Sequence, residues 1–214
     1  MKLSRDRILE TAVALADSHG LEAVTMRRLA DELGVEAMSL YHHTPNKDAI
    51  LNGIVDLLFL EIAAELRPTE GTWAQQLRAR ILTARRVQVR HPWAPALIAT
   101  RAAPGLPMVT YVDGAIKLMH DGGLSYDLIH HAMHAFGSRI FGFVQELDDN
   151  GSGNDSMAEM AAQLPNLVAM LTEVQHDDPD STLGWCDDQT EFEFALDLLL
   201  DGLTRVAEAG AVRN

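Results

Sequence analysis

Residues 25–47, TMRRLADELGVEAMSLYHHTPNK, carry the most informative pattern in the chain. Apolar side chains recur at the helical period over residues 26–33 and run into Gly34, which predicts a helix closed by a tight turn. A second, shorter helix is expected at about 37–43, and a Pro-Asn break separates it from a longer helix that Asn46 caps. Two helices joined by a glycine-containing turn form a helix-turn-helix, which places its second helix in the major groove of DNA.

The second helix of this motif is too short and too polar to belong to a protein core. On a 3.6-residue period only Leu40, together with one face of Tyr41, points inward. The remaining side chains form a displayed surface of groups that can bond base edges and phosphates. The pattern therefore predicts a DNA-reading head in the first quarter of the chain.

The first 65 residues resemble the TetR (tetracycline repressor) family of one-component bacterial regulators. The shared elements are a first helix at about 5–19, the Arg-Arg-Leu-Ala second helix, the Leu-Tyr-His-His recognition helix, and Asn46-Lys47 at the start of a long fourth helix. The resemblance implies a homodimeric regulator whose helical body binds a small-molecule effector. The later chain is similar to the C-terminal domain of the tetracycline repressor in three segments, 97–101, 122–125 and 137–146.

The expected DNA contacts follow from this resemblance and from side-chain chemistry. Arg27 matches the position from which family members reach the major groove or its phosphates, and its planar guanidinium suits guanine or phosphate. Lys47 matches the family's phosphate-gripping lysine, beside the amide groups of a helix N-terminus. Ala37 stands where the tetracycline repressor has a polar residue, so a different operator is expected. The alternative for each is a solvated surface side chain, and the expected set is Thr25, Arg27, Arg28, Ala37, Met38, Ser39, Tyr41, His42, His43 and Lys47.

The composition sets bounds on the class of protein. With 214 residues and 47% apolar content, the chain has ample material for a buried core. The net charge of −14 argues against indiscriminate coating of DNA, and residues 1–50 carry six basic and eight acidic residues against eleven and twenty-three in 51–214. The single Cys186 excludes an intramolecular disulfide, and no apolar run suggests a secretory signal or a transmembrane helix. We therefore expect a cytoplasmic protein without a membrane partner.

An all-α fold is expected, because helical periodicity runs through the chain and short runs with period-two alternation are missing. We divide the chain into a three-helix helix-turn-helix DNA-binding head at 1–48 and a larger helical effector-binding and dimerisation body at 49–214. The long fourth helix belongs to both parts and is a natural lever between them. Further helices are expected at about 73–90, 93–101, 107–122 and 125–147, after a capping box at Ser156 and Glu159, and at about 188–209.

Two of these helices are too apolar for an ordinary surface position. The helix at 125–147 carries small residues such as Ala132 and Gly137, which allow another helix to approach closely. The last helix carries Leu198 and Leu199 among several large apolar residues. Such a helix is buried either in a core or by a partner. The resemblance points to a four-helix bundle with two helices from each subunit of a homodimer.

A largely apolar small molecule is the expected effector. Prolines interrupt helices six and seven, which cannot pack as long rods and are expected to leave a pocket. The tetracycline repressor holds its drug through magnesium on a histidine, and Leu97 stands at that position here, so neither a tetracycline–magnesium effector nor any other cofactor is expected. The candidate lining residues have ordinary core packing as their alternative. They are Phe59, Ile62, Leu97, Thr100, Met119, Met133, His134 and Phe141.

No catalytic motif is evident, since the chain has no Gly-rich phosphate loop, no His-Glu-x-x-His and no Gly-x-Ser-x-Gly. His130 and His134 share one helix face, but no acidic residue completes a set of three metal ligands in sequence, so we expect a polar lining and no metal. The interpretation is a ligand-responsive transcriptional regulator, and more specifically a repressor that leaves a palindromic operator when its effector binds. An activator of the same fold, and an all-helical enzyme or carrier that uses the body cavity, are the alternatives left open.

Overall fold

The computed structural model describes residues 3–100, 104–142, 166 and 188–211. All regular structure in these ranges is helical, which confirms the expected all-α fold. The features predicted between 143 and 187, including the capping box at Ser156 and Glu159, lie outside the described residues. None of the described helices is long and apolar enough to cross a bilayer. The elements are α1 (Arg5–His19), a 3₁₀ turn (Leu21–Ala23), α2 (Met26–Leu33), α3 (Ala37–Tyr41), α4 (Lys47–Glu65), α5 (Trp73–Arg90), α6 (Ala94–Ala99), α7 (Leu106–Asp121), α8 (Tyr126–Gly142) and α9 (Asp188–Ala211).

Side-chain caps fix where several of these helices begin. Ser4 Oγ accepts a hydrogen bond from the backbone N–H of Arg7 at 3.3 Å at the start of α1. Asn46 Oδ1 accepts from the N–H of Ala49 at 2.8 Å at the start of α4. Each bond satisfies an N–H that has no partner inside its helix. The cap at Asn46 was predicted from the sequence, and the structure confirms it.

The helix-turn-helix is shaped by a glycine before α3 and a proline after it. Gly34 has a φ of 66° and a ψ of 39°, in the left-handed region that glycine adopts most easily, and its N–H bonds back to carbonyls of α2. α3 ends at Tyr41, two residues earlier than expected. Pro45 disfavours a helical backbone at Thr44, which is buried and bonds through its hydroxyl to the carbonyl of Leu40 at 3.2 Å. The recognition helix is therefore shorter than its sequence pattern suggested.

A single apolar core runs from the head into the body through α4. α4 packs against α1, α5, α6 and α7. α1 approaches it so closely that a Cβ on Gly53 would lie 2.5 Å from a methyl carbon of Leu9. The head therefore packs directly against α4, the helix expected to act as a lever between head and body. The division at residue 48 stays a prediction, and the buried core on either side of it includes Ile8, Leu29, Leu40, Ile54, Ile62, Val87 and Leu97.

Compact packing separates two units in the described chain. The first holds all described residues up to 142 together with residues 202–211. The second holds residue 166 and residues 188–201, the first part of α9. The head and helices α4 to α8 therefore belong to the same unit.

α9 has a buried face and an exposed apolar face. Phe192, Leu196 and Leu200 recur every four residues and are buried. Phe194 is 61% exposed and Leu198 is 54% exposed on the same helix. Exposed large apolar side chains at helical spacing are typical of a surface that a partner covers.

Candidate nucleic-acid interface

α3 has one fully buried side chain, and its other side chains are half-buried or exposed. Leu40 is fully buried in the head, while Ala37 and Ser39 are half-buried. Met38 is 69% exposed and Tyr41 is 45% exposed. Exposure of a large apolar side chain contributes nothing to the stability of the protomer, but it suits contact with a thymine methyl group. The inward position of Leu40 that the sequence predicted is confirmed.

Polar and basic groups flank α3 on both sides. Arg27 is exposed on the first turn of α2, and Thr25 caps that helix by accepting from the N–H of Arg28 at 3.2 Å. The cap uses an oxygen lone pair of Thr25 and leaves its hydroxyl hydrogen able to donate to a phosphate. Lys47 is the first residue of α4, whose N-terminal amides add partial positive charge. The other predicted contacts that follow α3, His42 and His43, are both exposed.

The predicted DNA contacts therefore share one small part of the fold. α2 and α3 pack against each other, and the first turn of α4 follows α3 after a short turn. Guanidinium, ammonium, hydroxyl and imidazole groups in this arrangement can grip phosphates and bond base edges. Their contact with DNA itself stays a prediction.

A polar network, which we call the junction network, joins α1 of the head to the body. His91, buried just after α5, has its Nδ1 2.7 Å from Asp17 Oδ1 and its Nε2 3.1 Å from Glu61 Oε2. Trp93 Nε1 donates to the same oxygen of Asp17 at 2.6 Å, and Arg90 Nη2 donates to Glu61 Oε1 at 2.6 Å. Asp17 lies on α1 and Glu61 on α4. The network therefore ties both helices to the connection between α5 and α6.

The junction network was not predicted from the sequence, because the prolines of this region indicated only interrupted helices. A histidine and a tryptophan beside a proline did carry a signal, since buried ring N–H groups need acceptors. The acceptors on Asp17 and Glu61 lie 74 and 30 positions from His91. Spacing along the chain could not identify them.

Glu61 should make the stability of the protein depend on pH. Burial raises the pKa of its carboxyl, but hydrogen bonds from Arg90 and His91 lower that pKa more, so it lies below its ordinary value of 4.5. A carboxyl with a depressed pKa in the folded state stabilises the fold above that ordinary value, and the contribution is lost as the pH falls through the folded-state pKa. We expect Glu61→Gln to lower the free energy of unfolding at neutral pH. We also expect its difference from wild type to shrink in acid below pH 4.5.

Urea unfolding at pH 7 and at a series of pH values below 4.5 measures this difference. Glu22→Gln, at an exposed glutamate on the 3₁₀ turn, is the matched control and should follow wild type throughout. A Glu61→Gln deficit that stays constant across the series would contradict the ionic role of Glu61.

A small cavity of about 300 Å³ adjoins the junction network. Val13 of α1, with Ile54 and Leu57 of α4, lines it together with His91 and Trp93. Its wall is mainly apolar, and its volume is at the lower limit of ligand pockets.

A larger cavity of about 820 Å³, which we call the basic cavity, lies between the C-terminal end of α4, α5 and α7. Its volume suits a drug-sized ligand. This cavity was not predicted from the sequence, because arginines spaced along a helix have the pattern of a solvated face. Its basic lining residues are Arg67, Arg78, Arg80, Arg86 and Lys117.

The residues predicted to bind the effector do not line either of these two cavities. Phe59, Ile62, Leu97 and Met119 are buried within the packed body. Their contact with an effector stays a prediction. Among the remaining four, Met133 is half-buried, Thr100 and His134 are exposed, and the side chain of Phe141 lies outside the described residues.

The histidines of α8 lie close together on its exposed side. The ring centres of His130 and His134 are 4.7 Å apart, nearly perpendicular to each other. In the described ranges, no group of three histidine, cysteine or acidic side chains is placed to hold a metal ion.

Two family descriptions match the chain. The description "Bacterial regulatory proteins, tetR family" matches residues 8–54, which contain the whole helix-turn-helix. "Tetracyclin repressor-like, C-terminal domain" matches residues 67–207. The chain belongs to the TetR family. As a TetR-family protein it is a bacterial transcriptional regulator, and the resemblance found in its sequence is confirmed.

Individual relatives agree with this assignment. An HTH-type transcriptional regulator of Saccharopolyspora erythraea is 39% identical over 105 residues, 48% of this chain, which spans only 43% of that relative. The HTH-type transcriptional repressor DrrR1 of Streptomyces coeruleorubidus is 28% identical over 94% of this chain and 77% of its own length. The crystal structure of the Streptomyces coelicolor TetR family protein ActR in complex with actinorhodin matches with a TM-score of 0.74 and 26% identity, over 94% of this chain and 95% of that one.

Proposed function

We propose that this TetR-family regulator is a cytoplasmic repressor that binds a near-palindromic operator as a homodimer and leaves it when a small molecule occupies the body. This proposal rests on α3, in which Met38 and Tyr41 are exposed while Leu40 is buried in the head. One helix of five residues contacts too few base pairs for specificity alone, so two copies must act together. The relative DrrR1 is named a transcriptional repressor, which supports the sign of the regulation.

The contacts divide into base-reading and phosphate-binding groups. Met38 and Ser39, on the first turn of α3, approach base edges, where the methionine contacts thymine methyl groups. Tyr41 adds a hydroxyl group for bases or phosphate. Arg27 and Lys47 hold the head on the backbone through guanidinium and ammonium groups.

Replacing Lys47 with alanine should weaken binding to all duplexes alike. Lys47 contacts phosphate rather than a base, so its loss removes one counterion-releasing contact from each head and no sequence information. We expect the slope of log affinity against log salt concentration to fall by about one for each head, and therefore by about two for the dimer. Ser39→Ala should instead change the preferred operator. Fluorescence anisotropy with labelled duplexes over a range of salt concentrations measures both effects.

Lys117→Ala, measured without any ligand, is the matched control for this experiment, because it removes a lysine from the exposed side of α7 and outside the helix-turn-helix. It should leave the salt slope unchanged. If Lys47→Ala also leaves affinity and slope unchanged, α4 does not grip the backbone and the docking arrangement is wrong.

The homodimer is proposed to form through α8 and α9 of each protomer. The exposed Phe194 and Leu198 of α9 supply apolar area that a second copy covers. Symmetric pairing of identical faces is the commonest way in which soluble proteins form dimers. It would also hold two recognition helices at a fixed separation.

The effector is proposed to enter the basic cavity and to act on the head through the junction network. α5 lines the cavity, and its last residue, Arg90, belongs to the network that reaches Asp17 on α1. Movement of α5 would therefore move the head and change the separation of the recognition helices from the roughly 35 Å that successive major grooves require. A hundredfold loss of operator affinity requires the ligand to favour the non-binding geometry by ~3 kcal/mol.

One predicted effector residue lies a layer behind this cavity. The ring of Phe59 is centred 5.6 Å from that of Tyr111, whose carbonyl accepts a hydrogen bond from Arg80 at 2.7 Å. A ligand that displaces Arg80 would therefore also disturb Tyr111 and its ring contact with Phe59 on α4. This contact supports the proposal that α4 responds to occupancy of the basic cavity.

Binding to the DNA upstream of its own gene tests the proposed function. We expect sequence-selective, salt-sensitive binding of two protomers to each operator, and repression of a reporter gene under that promoter. Activation of the reporter would mean that the protein is an activator and not a repressor. Absence of any selective binding would favour an enzyme or carrier that uses the body cavity.

A further inference from the structure

The lining of the basic cavity is opposite in charge to the chain as a whole. Five basic and three acidic side chains line it, although the net charge of the protein is −14. Two of the three acids already have cationic partners, Glu65 with Arg90 and Asp121 with Lys117. The cavity is therefore a positive site in an acidic protein, and such a site attracts anions.

Arg80 is tightly held at this site. Its Nη2 donates to the carbonyl of Tyr111 at 2.7 Å, and its guanidinium lies 4.5 Å from the centre of the Tyr111 ring. Gly114 makes room for it, since a Cβ there would lie 2.6 Å from Nη2. The Nε of Arg80 is buried without a hydrogen-bond partner among the described residues, and burial lowers the pKa of the group. A ligand oxygen that reached this donor would remove the cost of leaving it unsatisfied.

Arg86 supplies a second guanidinium on the same helix. Six residues along α5 place it about 9 Å from Arg80 in the direction of the helix axis. It is exposed, and its Nη2 donates to the hydroxyl of Thr83 at 3.0 Å. Within the described residues no carboxylate pairs with it. Apolar side chains line the same cavity beside these two arginines, namely Leu66, Leu82 and Leu118.

We propose that the basic cavity binds an amphipathic organic anion, an apolar ring system or chain that carries a carboxylate. This inference rests on the proposed effector role of the cavity and names the chemical class of its ligand. Arg80 and Arg86 bond the carboxylate, because the planar guanidinium matches carboxylate oxygens in geometry and charge. The leucines cover the apolar part of the ligand, and a volume of about 820 Å³ accommodates a drug-sized molecule.

A matched pair of fluorescent probes tests this preference. 1-Pyrenebutanoate and its neutral amide have the same shape and differ in charge, and both are titrated against the full chain without DNA. We expect the carboxylate to bind about tenfold more tightly, since hydrogen bonds to a charged group are stronger than those to a neutral one. Arg86→Gln should remove this preference and leave the affinity for the amide unchanged.

The control is Arg85→Gln, which removes the same charge one position earlier on α5 but outside the cavity lining. It should change the affinity for 1-pyrenebutanoate by less than about twofold, because screening weakens charges that do not touch the ligand. Arg80→Gln should act like Arg86→Gln, with circular dichroism to check its fold. If Arg80→Gln does not fold, Arg86→Gln decides the result alone.

Equal affinity for the two probes, or no binding of the carboxylate, overturns the proposal. An Arg85→Gln variant that loses as much affinity as Arg86→Gln also overturns it, because the effect would then follow net charge rather than the cavity. These titrations contain no DNA, so their failure leaves operator binding intact. Loss of selective operator binding with retained carboxylate preference would remove the regulator proposal alone.

Discussion

Leu198→Glu is expected to convert the proposed dimer into monomers and to lower operator affinity by about a hundredfold or more, because a monomer loses the contribution of the second head. Leu198 is 54% exposed in the protomer, so glutamate there is tolerated by the folded chain. An ionised carboxylate within an apolar interface is not tolerated, since it loses its hydration without gaining a partner. Sedimentation velocity at micromolar concentration and anisotropy with operator DNA measure the two consequences.

Val89→Glu is the matched control, because Val89 is 63% exposed on α5 and the change is from an apolar to an acidic side chain in both variants. It should remain dimeric and bind operator normally. A Leu198→Glu protein that sediments as a dimer would mean that this face of α9 is not part of the dimer interface. Leu199, an apolar neighbour that also stood out in the sequence, is half-buried in the protomer, so a charge there would disturb the fold as well.

The local features of this fold could be predicted because their causes lie within a few residues of one another. Ser4 and Asn46 cap helices through N–H groups three positions ahead, and Gly34 closes α2 through its own backbone conformation. The bounds of α1 and α5 follow from such signals together with helical periodicity. The end of α3 was harder to predict. Pro45 disfavours a helical backbone at the residue before it, whereas the polar residues at 41–43 neither favour nor oppose a longer helix.

The cavities and the junction network could not be predicted, because they depend on where distant helices meet. Periodicity identifies which face of a helix is buried, and Phe59 and Leu97, which were predicted to line an effector pocket with core packing as the alternative, are buried in the body. It does not identify where packing leaves space, which is decided by side-chain volumes across several helices. Arg80 illustrates the limit. Its pattern is that of a solvated arginine, but its guanidinium packs on Tyr111, 31 positions away.

His91→Ala is expected to lower the free energy of unfolding by about 2–3 kcal/mol, because it removes the buried ring whose two nitrogens contact the carboxylates of Asp17 and Glu61. Trp93→Phe removes only the Nε1–H bond to Asp17 and keeps the ring, so it should cost about 1 kcal/mol. Urea unfolding of the single variants, and of a double-mutant cycle between Asp17→Ala and His91→Ala, measures these terms. The cycle should give a coupling energy of roughly 1–3 kcal/mol, as expected for residues in one network.

The His91→Ala variant also tests whether the junction network positions the head. Apolar contacts such as the close approach of Leu9 to Gly53 hold α1 against α4, and the junction network adds the polar tie between α1 and the end of α5. Without His91 the two heads should sample separations that do not fit successive major grooves. If only a tenth of the molecules keep the competent spacing, operator affinity falls by about tenfold. A His91→Ala protein that loses stability and binds operator with wild-type affinity would mean that the network holds the fold together but does not set the position of the head.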